Sequence, residues 1–133
     1  MMRWILAGIA VTGIVLMSAS VPAVAQNAPF AGGARGADKD PAVDKLTAAA
    51  NKLDAQLKKT PKDAKLKEKT AEAYYSAGYA CEYSKVLASK PKYRGALKLY
   101  RRCLELNAKH SKAAAEKKQI EDIYKQMGMP VPQ

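Results

Sequence analysis

The sequence predicts an all-α chain, a short antiparallel array of about four helices, and three observations carry that reading. In Pro91–His110, Leu97, Tyr100, Cys103 and Leu104 recur at the i, i+3, i+6, i+7 spacing of one apolar face. Charged residues (Arg94, Lys98, Arg101, Arg102 and Glu105) take the other side. Start signals stand at Asp40-Pro41 and Thr60-Pro61, where a capping side chain precedes a proline that fits the first helical turn. Breaks at Ser89-Lys90-Pro91, at Asn107–Ser111 and at Gly128 and Pro130 cut the remainder into helix-sized lengths.

The chain has 133 residues, room for one domain. Residues 1–25 read as a secretory signal peptide: Met1-Met2-Arg3 is a short positive start, Trp4–Met17 an uncharged apolar core, and Ala23-Val24-Ala25 a cleavage site before Gln26. The expected address is therefore the bacterial periplasm or the exterior. Residues 26–40 carry Gly and Ala without an apolar period and read as a flexible linker.

The first helix, Pro41–Lys59, puts Val43, Leu46, Ala49, Ala50, Leu53 and Leu57 on one stripe. A second is expected from Pro61 to about Ser89. From Ala71 to Cys81 it is apolar nearly all round, as a helix packed on two sides should be. Within it Gly78 lowers helix propensity and so points to close packing. The third helix ends at about Asn107. In the fourth, Ser111 is the expected cap, and Ile120, Ile123, Tyr124 and Met127 form the single apolar face. Residues 129–133 are left as a tail.

The third helix also carries a family pattern. Ala96, Tyr100 and Cys103 are spaced four and three apart, and Leu104-Glu105-Leu106-Asn107 follows. This resembles the second helix of a tetratricopeptide (TPR) repeat, with Ala108 where the family has proline. Ala49, Leu53, Gln56 and Pro61 repeat the spacing, and Ala71 with Tyr74 resembles the start of a TPR first helix. The two copies lie 47 residues apart against a family period of 34. The resemblance spans about Val43–Gly128 and implies a TPR-like array that serves as a non-catalytic scaffold for protein–protein interaction.

Four groups of residues are candidates for function or for a covalent tie. Cys81 and Cys103 are the only cysteines, and their mean position is the Pro91 turn. Residues equidistant from a hairpin turn lie level, so export and spacing together predict a disulfide, the alternative being two unpaired core residues. His110 is expected to cap the end of the third helix. With two cysteines and no fourth ligand it makes a poor metal site. Tyr75, Tyr79 and Tyr83, with Lys65 and Lys69 beside them, form a candidate partner-binding row on the face that TPR proteins use for ligands. The alternative is packing against the first or third helix. The asparagines of the family's carboxylate clamp are absent. Arg94, Lys98, Arg101 and Arg102 make a basic stripe.

Charge and chemistry narrow the classes. After signal removal 22 basic and 12 acidic residues remain, a net charge near +10. In an exported protein this predicts no nucleic-acid partner. It favours a solvated surface or an anionic envelope surface, and the second functional reading is accordingly a basic structural protein bound to anionic lipid or cell-wall polymer. No nucleophile–base pair can be assembled around one histidine, so no enzyme, cofactor or catalytic residue is predicted. A protein or peptide partner is expected, with homo-oligomerisation left open.

Overall fold

The computed structural model describes residues 36–133. The expected signal peptide and the first ten residues of the expected linker lie outside the described residues. Four helices follow in order: α1 Pro41–Lys59, α2 Ala64–Glu82, α3 Ser89–Leu106 and α4 Ser111–Gln126. Among the described residues the one feature of sheet type is an isolated parallel bridge between Ala37 and Leu87.

Capping chemistry fixes the starts. Asp40 accepts from the Ala42 amide at 2.9 Å, with Pro41 at the first helical position. Asp63, rather than Thr60, caps α2 by accepting from Leu66 N–H at 2.9 Å. Thr60–Lys62 form the turn, so α2 begins at Ala64 rather than at Pro61. Gly128, at φ 66°, closes α4 in a left-handed conformation, with Gly128 and Met129 amides donating back to Lys125 and Tyr124 carbonyls. Beyond it Val131 packs on the core, so the tail is partly docked.

The second helix is shorter than expected. It stops at Glu82, because Ser84 diverts the backbone: its hydroxyl accepts from the amides of Val86 and Leu87, both at 3.1 Å. The same hydroxyl donates to Asp40 at 2.6 Å. Ala37 N–H donates to Val86 C=O at 2.8 Å and Ala88 N–H to Ala37 C=O at 2.9 Å. Gly36 lies so close to the Ala88 backbone that a Cβ would strike it. Residues 36–40, read as the end of a flexible linker, are thus pinned to the α2–α3 loop. This clasp accommodates residues that a longer α2 was expected to absorb.

Pro91 belongs to the first turn of α3 rather than to the turn before it; a residue there needs no amide donor. The α2–α3 hairpin therefore pivots between Ala88 and Ser89. Gly78 faces the Tyr100 ring and Gly95 faces Cys81 Sγ across it. Each helix packs on its chain neighbour, α2 against both α1 and α3, and α4 against α3. Tyr100, Leu97, Ile120, Thr70 and Cys103 are the largest wholly buried side chains. Tyr100 lies at the centre, its hydroxyl donating to Glu82 at 2.6 Å.

Candidate functional site

The tyrosine row expected on α2 forms a ladder. Ring centroids lie 6.1 Å apart from Tyr75 to Tyr79 and 4.5 Å apart from Tyr79 to Tyr83. Tyr75 is half-buried, its ring 6.0 Å from Tyr100 and 4.8 Å from His110. Tyr79 is 46% exposed and Tyr83 50%, and Val86 extends the open apolar surface. Helical spacing aligns these rings, and those of Tyr79 and Tyr83 stay exposed.

Side chains of α4 close both ends of the ladder. At one end His110 Nδ1 accepts from the Ala113 amide at 3.1 Å and Nε2 lies 2.9 Å from Glu72. These partners assign the proton to Nε2, which donates to the carboxylate. His110 is thus the cap of α4, not a residue closing α3. Ser111, the expected cap, is the first helical residue. At the other end Tyr83 O–H donates to Glu116 at 3.3 Å.

Glu82 stands beneath this second end, 5% exposed and held by Tyr100. Burial raises its carboxyl above the usual glutamate range, and the charge of Glu116 adds to the rise. Desolvation of its hydroxyl, with Glu82 and Glu116 beside it, pushes Tyr83 up to about 12 although its ring face is open. Two carboxylates and a tyrosine wall are thus brought together. Sequence reasoning named the tyrosines but missed Glu82, which it had placed inside a longer helix, and Glu116, which lies off the apolar face predicted for α4. Lys65 and Lys69 are exposed further along α2, and Lys69 stands ten residues before Tyr79, about 15 Å along the axis.

The basic stripe does not stay together. Arg102 is engaged by Asp54 of α1 and by Glu105, both at 2.7 Å. Asp54, also bonded by Tyr74 O–H, is held below the usual carboxylate range, chiefly by its hydrogen bond from Arg102. Arg101 leans toward Glu121 of α4 at 3.9 Å. Arg94 and Lys98 stay exposed. Arg102 therefore ties α1 to α3 across a cleft of about 740 Å³ floored by Val43, Leu87 and Leu99.

The predicted disulfide is corrected. Cys81 and Cys103 are free and buried. Cys81 donates to Lys92 C=O at 3.3 Å and packs on Gly95, whereas Cys103 lies beside the Tyr75 backbone. With the pivot at Ala88–Ser89 rather than Pro91, the two stand seven residues out of level, about 10 Å along the helix axis. A bridge cannot span that offset. Burial pushes both thiols up to about 11, so neither is poised as a thiolate nucleophile.

Among the described residues no three His, Cys, Asp or Glu side chains are grouped to hold a metal ion. Nor is any helix there long and apolar enough to cross a membrane. Comparison with families of known proteins, with curated proteins and with solved structures finds no match to this chain.

Proposed function

We propose that this chain is a non-catalytic, TPR-like adaptor of the bacterial cell envelope that offers the tyrosine face of α2, opposite α4, to a protein or peptide partner. One observation carries the reading: Tyr79 and Tyr83 are about half exposed at the end of α2, a helix that packs on both α1 and α3. Large aromatic rings at a wet edge are costly to leave open and well suited to anchor an interface. The antiparallel order of the helices and the small residues around Tyr100 agree with the TPR resemblance of Ala96, Tyr100 and Cys103. The second reading, a basic surface on anionic lipid or polymer, is weakened because Arg101 and Arg102 are occupied within the fold. Site-specific photo-cross-linking separates the two. A benzophenone side chain at position 79 is expected to give a discrete protein adduct, while one at exposed Ala48 of α1 gives none. Adducts of equal yield at both positions, or lipid adducts alone, would contradict the adaptor reading.

A further inference from the structure

α1 and α3 each pack on α2 and leave between them the cleft of about 740 Å³ that Arg102 spans. It has the size and the make-up of a ligand pocket, an apolar floor beneath a few polar side chains. Thr47 and Asn51 stand on the α1 wall and Lys98 on the α3 wall. Of the charged lining residues, Asp40 is bonded by Ser84, Asp54 and Glu105 by Arg102, and Arg101 leans on Glu121. Asp38, Asp44, Lys39 and Lys98 are left, two of each sign. On a chain of net charge +11 the cleft is thus a neutral place, without the field that gathers anions elsewhere. One further segment of the chain reaches it. Gln133 stands at its edge, and Val131 packs on the core. Residues 126–133 carry no charged side chain in a chain that is 26% charged, and Pro130 and Pro132 hold their end extended. The hold on this segment is slight. Met129 N–H, donating to Tyr124 C=O, makes its last hydrogen bond among the described residues, and Met129, Pro130 and Gln133 are exposed.

We propose that the α1–α3 cleft is a docking groove for an uncharged, extended, proline-containing peptide of a partner protein, and that residues 129–133 are its internal competitor. Groove and segment match in charge, since neither carries an excess. Proline sets such a peptide in its bound shape beforehand, so little freedom is lost on docking. A strap held by one half-buried valine can be displaced by a peptide of the same make-up. The site is separate from the tyrosine face: Tyr75, Tyr79 and Tyr83 do not line it, and it stands or falls without them.

Titration calorimetry on the full chain tests it, with the acetylated, amidated peptide of residues 126–133 as the probe. Val131→Gly, which releases the strap, should bind the probe about tenfold tighter than the parent, as for a groove occupied about nine-tenths of the time. Thr47→Trp or Asn51→Trp, added to Val131→Gly, fills the cleft from the α1 wall and should abolish binding, with helicity checked by circular dichroism. Tyr79→Ala should leave binding unchanged. The same peptide carrying Val131→Lys or Val131→Glu should bind more weakly, whichever sign is introduced. No binding to Val131→Gly, or binding that survives both cleft-filling variants, would overturn the groove. Equal affinities for the parent and Val131→Gly would overturn the competition by residues 129–133. A charged peptide that binds as well as the neutral one would overturn the assignment of an uncharged partner. Loss of binding in Tyr79→Ala would move the peptide to the tyrosine face and overturn the groove as well.

Discussion

Tyr100→Ala is expected to lower stability by about 3–5 kcal/mol, the cost of emptying a packed aromatic site. That is a large fraction of what a domain of this size possesses. The ring is wholly buried, fits against Gly78, and lies on the inner flank of Tyr75. Its hydroxyl is also the donor to Glu82, so truncation strands a buried carboxyl. Tyr100→Phe separates the two losses: the ring stays, and the unpaired acceptor costs about 1–3 kcal/mol. The pH dependence has a definite sign. The folded state raises the Glu82 pKa, so its contribution is fully present below the usual glutamate range and is lost as pH rises through the raised value. Tyr100→Phe should steepen that loss and Glu82→Gln should remove it. Urea unfolding of the three variants across a pH series reads all of this directly. Equal stability of Tyr100→Ala and the parent would contradict the placement of the ring.

Gly78→Leu should be nearly as damaging, about 3 kcal/mol or more, although leucine favours helix over glycine by about 1 kcal/mol. A Cβ at position 78 would approach Tyr100 Cε1 at 2.7 Å and Cδ1 at 2.8 Å. The ring has no free direction: Glu82 holds its hydroxyl and Tyr75 flanks it. Gly78→Ala should show the same sign at smaller size. The pair of urea midpoints decides it, because propensity alone predicts that both substitutions stabilise. An unchanged or raised midpoint would mean that α2 and α3 do not approach closely here.

The helices themselves were legible because their apolar faces are long and periodic. Ala96, Leu97, Tyr100 and Cys103 are buried as their spacing required. The end of α2 was not legible. Tyr83–Ala88 contains neither glycine nor proline, and the break is made by the Ser84 hydroxyl capturing two amides, a tertiary event since the same hydroxyl donates to Asp40. Pro91 looked like the turn but fits the first turn of α3. That shift of pivot by a few residues is enough to take Cys81 and Cys103 out of register. In the same way His110 proved to cap the helix after it rather than the one before. The tyrosine ladder could be read from helical spacing. Its carboxylates could not, since only the fold brings Glu116 of α4 to the foot of α2.

Thermal unfolding of a Tyr79→Ala, Tyr83→Ala variant, measured beside its capture of the photo-cross-linked partner, tests the central claim most directly. If the two rings belong to an open docking face, the variant keeps its helicity and melts within a few degrees of the parent while capture is lost. A fall in stability of several kcal/mol, the scale of an emptied core site, would contradict that claim and make the ladder part of the interior.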